Sequence, residues 1–298
     1  MAHFPDIGIP GGMTKASENG TGSNQYRAVA GKGKPRPALA MQVPPLTQQA
    51  AAQLDGLPPD LRDKLWAETN RWVAHQGPAP QFTEPELQTL AQTPNRLGRT
   101  IAACNLHNTA LLEQLAADND PDIRAGVAEN PSTPLPTLLR MLDREDTTPD
   151  IRMRAGRRRD LPEPLIRQLA QDPDTHVRQS IAGNPSTPPD VLEHLAQDSR
   201  FEVRIDVAWN RSTPSGVLTQ LAADRVRPAQ MRVAGNRNTP VEALEHLSHS
   251  LDSLVRSAVA KHPRLPAEAI QRLSADKDGL VRLTIAGRRD QQRTAPAS

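Results

Sequence analysis

Arginine is the residue type whose placement in this chain points to chemistry. Arg157, Arg158 and Arg159 are consecutive, and Arg211, Arg237, Arg288 and Arg289 recur later in similar surroundings. A guanidinium offers a planar fork of donors that matches phosphate or carboxylate oxygens two at a time. Lysine is scarce over the same stretch, standing only at 261 and 277. Trp209 lies two residues before Arg211 and takes a position held elsewhere by Glu129, Gly183, Gly235 and Lys261. A position that accepts Gly, Lys and Trp is expected to face solvent. There the ring would stack on a base, anchor a protein partner, or fold over its neighbour. For the arginines two readings stand side by side: a ridge that contacts a partner, and a solvated edge balanced by nearby Asp and Glu.

Other chemistry lacks its residues. Cys104 is the single cysteine, which excludes an intramolecular disulfide framework and a cysteine cage for zinc or iron–sulfur within one chain. His194 and His246 occupy one repeat position two units apart, about 20 Å, too far to share a metal. There is no His-Glu-x-x-His, no glycine-rich phosphate loop and no Ser/His/Asp set tied to one place. No metal, cofactor or catalytic activity is expected. A base-processing enzyme needs aromatic rings and a carboxylate around a flipped base, and an aromatic content of 2% speaks against it.

Composition indicates which elements carry the arginines. Of 298 residues 29 are proline, and the apolar set is mostly Leu, Ala, Val and Ile. Large single cores lean on aromatic rings for buried area, so many small aliphatic cores fit better. The net charge of +2 neither demands nor excludes nucleic acid. No apolar run approaches the ~20 residues of a membrane helix, and no basic-then-apolar secretory signal opens the chain. With so little cysteine, a reducing cytoplasm is the expected setting.

Residues 1–45 are rich in Gly, Pro, Ser and Asn, with Lys32, Lys34 and Arg36 among them, and read as a disordered arm. In 46–82, Leu54, Leu57, Leu61, Leu65, Trp66, Trp72 and Val73 recur at near-helical spacing around Pro58 and Pro59. This segment reads as a helical N-terminal cap, because a repeat array needs an atypical end unit. From 83 to 290 the chain repeats, and 291–298 read as a disordered tail. The clearest units are IRAGVAENPSTP, VRQSIAGNPSTP, VRIDVAWNRSTP and VRSAVAKHPRLP. Anchored two residues after the Ala of each VA or IA pair, the units fall on Asn105, Asn130, Arg157, Asn184, Asn210, Asn236, His262 and Arg288, 25–27 residues apart. A period held so closely marks a repeat architecture.

Within the unit at 187–210, Thr187 is expected to cap a first helix with Pro188 at its start and Asp190 closing a capping box. Thr239 with Glu242 and Asp160 with Glu163 repeat that spacing. The first helix buries Val191, Leu192 and Leu195; the second, after an acidic turn near Asp198, buries Val203 and Val207. Each is too short to stand alone. Stacked units should therefore share a core, with the anchor Asn satisfying loop backbone between them and the ladder broken where Arg replaces Asn. The recurrent Arg99, Arg124, Arg178, Arg204, Arg256 and Arg282 read as an Arg–Asp ladder between successive turns, with a ligand-facing positive stripe as the alternative.

The units VRQSIAGNPSTPPDVLEHLAQD and VRIDVAWNRSTPSGVLTQLAAD resemble the leucine-rich repeat variant family of bacteria. Its pattern runs aspartate, Val-Arg, Val-Ala, Asn-Pro-x-Thr-Pro and Leu-x-x-Leu-Ala at these spacings. The resemblance implies an all-α, right-handed helical-repeat solenoid of about eight repeats, armadillo-like, each with an α-helix and a second helix that is short or 3₁₀. Some relatives carry a cysteine-rich iron–sulfur module, which the single cysteine here does not support. The family implies no defined catalysis. The functional expectation is a non-catalytic interaction scaffold that binds a protein partner along its extended surface, with a nucleic-acid-binding solenoid using the Arg-rich edge as the alternative.

Overall fold

The computed structural model describes residues 52, 54–73 and 81–294, with side chains through 67 in the first stretch and through 288 in the last. The expected arm at 1–45, and 295–298 of the expected tail, lie outside the described residues. Seventeen helices and no strand occur among the described residues. The chain divides into two compact units, 1–105 and 106–298.

The first unit holds α1 (Pro59–Val73), α2 (Glu84–Ala91) and α3 (Arg96–Asn105). Leu54, Leu57, Leu61 and Leu65 are all buried, as their spacing predicts. The chain turns into α1 through Gly56, whose φ of +79° is the left-handed region open to glycine. The Asn95 amide donates to the Asp55 carbonyl across that turn (2.6 Å), and Lys64 Nζ reaches both Glu86 carboxylate oxygens at 2.8 Å.

The second unit contains seven helix pairs. Its A helices are α4 (Thr109–Leu115), α6 (Leu135–Leu142), α8 (Glu163–Leu169), α10 (Pro189–Leu195), α12 (Ser215–Ala222), α14 (Val241–Ser248) and α16 (Ala267–Ser274). The B helices are α5 (Pro121–Glu129), α7 (Pro149–Gly156), α9 (Thr175–Ala182), α11 (Phe201–Trp209), α13 (Arg227–Gly235), α15 (Ser253–Ala260) and α17 (Gly279–Thr294). Both helices of each pair are α-helical, so the short alternative holds over the 3₁₀ one. The last helix continues four residues past the expected boundary at 290. Each B helix packs on the B helix of the next pair, forming one continuous layer, and rests on its neighbouring A helices. The pairs Ile123/Val127, Val177/Ile181, Val203/Val207, Val255/Val259 and Val281/Ile285 are buried between the layers, with Val191, Leu192 and Leu195 meeting them from the A side.

Helix starts differ from the sequence expectation. The A helices α8, α10 and α14 are capped by Pro162, Pro188 and Pro240, without a side-chain bond. Thr187 does not cap α10; it is buried and its hydroxyl donates back to the Ile181 carbonyl at 2.6 Å. Thr133, Thr213 and Thr239 make the same six-residue return to Val127, Val207 and Val233. The loop's Thr thus closes the end of the preceding helix, where an orphan carbonyl would otherwise be desolvated. Asp190, freed from the expected box, pairs with Arg167. Side-chain caps sit mostly on B helices, where Asp120, Asp174, Asp252 and Asp278 accept from backbone N–H groups two residues on; among A helices, Asn108 caps α4 by accepting from Leu111.

The expected amide ladder is present and unbroken. Asn184 Nδ2 donates to the carbonyls of Gly156 and Arg158 at 2.7 and 2.6 Å. Asn210 does so to Ala182 and Asn184, and Asn236 to Ala208 and Asn210. Asn130 donates to Leu106. His262 Nε2 meets the Asn236 carbonyl at 3.0 Å, and Arg288 donates to His262 and Pro263. In the third repeat the role falls to Arg158, not Arg157: its guanidinium donates to Asn130 and Thr133 at 3.1 and 2.9 Å while Asp160 takes its other face. That repeat carries two extra residues, which shifts the anchor by one position. The Arg replacements therefore carry the ladder rather than break it.

The Arg–Asp ladder holds in part: Arg124 reaches Asp146, twenty-two residues on, and among the described residues Arg282 bonds only the Asp276 and Lys277 carbonyls of its own turn. Arg152, Arg178, Arg204 and Arg256 each bind both oxygens of the Asp twenty residues ahead, at Asp172, Asp198, Asp224 and Asp276. Each Asp also accepts the N–H of the residue two positions later. In α13 the Arg is replaced by Gln230, and twenty residues on the Asp is replaced by Ser250. Gln230 keeps the bond to the carbonyl of its own turn, at Asp224. Both charges are lost together, so neither partner is left as a desolvated unpaired ion.

Candidate interaction surface

The side of the B helices turned away from the A layer is open to solvent, and positions along it form columns that advance 26 residues per repeat. One column reads Arg157, Gly183, Trp209, Gly235 and Lys261. Trp209 is 56% exposed. Its ring leans over the next repeat against Gly235, with the Arg232 guanidinium 4.6 Å from the ring centroid. A cation held over an aromatic face is attracted by the ring quadrupole. Arg232 was not legible as a partner in the sequence, because the contact joins two repeats.

Arg157 stands at the end of α7, half exposed, and pairs with Glu129 at 3.4 Å. It belongs to the helix-face column of Trp209 rather than to a loop edge. With Arg159 it borders a hollow of about 410 Å³ that also meets His176, Gln179 and Asp206. Burial raises the Asp206 carboxyl above its ordinary pKa, against the Gln179 amide that donates to it at 3.1 Å and the nearby Arg232.

The loop-edge ridge is smaller than expected. Arg158 and Arg288 point into the ladder, where their donors meet backbone carbonyls. Arg159, Arg211 and Arg237 remain as one loop column, all exposed. The Arg211 carbonyl accepts from Asn238, and the Arg159 carbonyl from Ser186. Arg289 follows in the same column within α17, its side chain beyond those described.

A second feature of this face lay in the sequence but was not read from it. The column at the start of each B helix runs Asp122, Asp150, His176, Glu202, Pro228, Leu254 and Leu280. It is polar in the first four repeats and apolar in the last three. Leu254 and Leu280 are exposed, as are Met231 and Leu283. The change falls at helix starts, away from the loop positions that mark the repeat.

Comparison with known proteins agrees with this architecture. The family model described as leucine rich repeat variant matches residues 121–146. A solved structure titled "a leucine-rich repeat variant with a novel repetitive protein structural motif" is 30% identical, with a TM-score of 0.50. The match covers 68% of this chain and 80% of that one. The chain belongs to the leucine-rich repeat variant family. Curated proteins give no match. Among the described residues this leucine-rich repeat variant has no cluster of His, Cys, Asp or Glu able to hold a metal and no helix long and apolar enough to cross a membrane.

Proposed function

We propose that this protein is a non-catalytic interaction scaffold that binds a protein partner on the open face of its B helices. The observation that carries the reading is the run of large side chains left exposed there: Trp209, Met231, Leu254, Leu280 and Leu283. Exposed apolar groups gathered on one face, rather than scattered singly, mark interaction surfaces. Trp209, already held in place by Arg232, offers an aromatic anchor of the kind that dominates binding energy. The test is affinity capture from the native cell with the full chain and with Trp209→Ala. A stoichiometric protein retained by the wild type and weakened by the substitution supports the reading. Absence of any such protein counts against it.

A second reading has its own support. Arg159, Arg211 and Arg237 are exposed in one loop column and none takes part in an ion pair among the described residues. Such a column suits phosphates. Fluorescence anisotropy with labelled single-stranded DNA, duplex DNA and RNA over a range of salt tests it. Binding that falls steeply with salt and is lost in the triple Glu variant at these positions would favour nucleic acid; no binding at low salt would dismiss it.

A further inference from the structure

We infer that the C-terminal three repeats hold a peptide groove selective for a segment of alternating acidic and aliphatic residues. The inference rests on the scaffold reading and names the site and the chemistry of its partner. The groove has a volume of about 750 Å³ and runs across α13, α15 and the start of α17. Its large apolar side chains, here called the floor, are Met231, Leu254 and Leu280; its cations, here called the rim, are Arg237, Lys261 and Arg264. No carboxylate lines it among the described residues.

Many arginines of the repeats are spent on the internal ladders or on ion pairs, as with Arg152, Arg154, Arg167 and Arg256. The side chains of Arg237, Lys261 and Arg264 enter no ion pair or hydrogen bond among the described residues, and all three are exposed. Leaving three cations together without a counter-charge is unfavourable for the free protein and favourable for an anionic occupant. The apolar floor makes the same demand in different terms, since Leu254 and Leu280 occupy a column that holds Asp, His or Glu in earlier repeats. Charge and apolarity meet in this groove.

The groove's dimensions and lining decide between occupants. Crossing three B helices spans two interaxial spacings, about 16–20 Å. An extended chain covers that in roughly five or six residues, with alternate side chains facing floor and rim. Nucleic acid binds such grooves by stacking bases on aromatic rings. Met231, Leu254 and Leu280 are aliphatic or thioether, and the indole of Trp209, which touches the groove's edge at Gly235, already has the Arg232 guanidinium over its ring. The occupant that satisfies both floor and rim is an extended acidic–aliphatic peptide.

The experiment uses the full chain against an array of random octapeptides, with Lys261→Glu/Arg264→Glu and Leu254→Asp as variants at exposed positions. Bound members should be enriched in Asp or Glu alternating with Leu, Ile or Met. The double charge reversal should weaken those members by about tenfold or more and shift enrichment toward Lys and Arg. Leu254→Asp should remove the aliphatic preference. Circular dichroism melting checks that both variants remain folded. Enrichment that is absent, or unaltered by the charge reversal, overturns the proposal. So does sedimentation showing that Leu254→Asp turns a dimer into a monomer, which would make a second copy of the chain the occupant. A native partner captured equally by wild type and Lys261→Glu/Arg264→Glu would leave the scaffold reading standing and remove only the groove.

Discussion

Asn184 is 2% exposed, and its amide serves two carbonyls that water does not reach. Replacing it with Ala leaves both without a donor, at about 1–3 kcal/mol for an unsatisfied buried group. Asn184→Ala should lower the midpoint of urea unfolding accordingly; an unchanged midpoint would mean that another donor fills the place. His262 occupies the equivalent place and makes the step pH-dependent. Its Nδ1 accepts the Arg264 N–H at 3.1 Å, so Nε2 carries the proton donated to Asn236. Burial, the largest influence, holds this imidazole below its ordinary pKa; the bond to Asn236 works against that, and Arg264 and Arg288 add to the lowering. The folded state therefore binds fewer protons than the unfolded one just below the ordinary value of about 6.5. Stability contributed by neutral His262 should fall as pH drops through that window. His262→Asn should flatten the dependence, measured as melting temperature between about pH 5 and 7.

Elements in this protein are short, and their stability is that of their neighbours. Gln230 and Ser250 show what couples them. Restoring Arg at 230 or Asp at 250 alone would place a lone charge in a site where the paired examples are mostly buried. Each single substitution is expected to destabilise. Gln230→Arg/Ser250→Asp together should recover the loss, with a coupling energy of about 0.5–3 kcal/mol in a double-mutant cycle. Additive effects would mean that the side chains do not meet. Helix positions, buried pairs and both ladders were legible in the sequence because they recur every 26 residues, and recurrence averages out local noise. The caps were not: Thr-Pro-x-Asp/Glu carries the spacing of a capping box, but the Pro takes the cap and turns the Thr hydroxyl back to the previous helix. The anchor of the third repeat was misplaced for a related reason. Three consecutive arginines look alike in sequence, and only packing shows that Arg158 is the one pointing inward. Contacts between repeats, such as Trp209 with Arg232, have no signature in a single unit.

At the scale of the second unit, the Arg–Asp pairs make the array acid-sensitive. Asp276 is held below the ordinary carboxylate pKa chiefly by its bond to Arg256, against the effect of burial. For Asp198 and Asp224 burial is the largest single influence and pulls upward, but Arg178 or Arg204 and a backbone N–H together outweigh it. A depressed folded pKa means that the unfolded chain takes up protons first. The stabilisation is full above the ordinary carboxylate value of about 4 and is lost as pH falls through the lower folded values. Melting temperature should drop steeply below about pH 4, and less so in Arg256→Met/Asp276→Leu, where one pair has been replaced by apolar groups. An identical acid profile in that variant would place the sensitivity elsewhere.

The hydrogen bonds that join one repeat to the next reach 20–28 residues along the chain, each to the adjacent unit. None of these bonds skips a unit. Under tension applied through its ends, such an array has no distant clasp to hold it shut. Repeats would peel away one at a time, each releasing a similar length of chain at a similar force. The array of seven helix pairs is in this sense a spring.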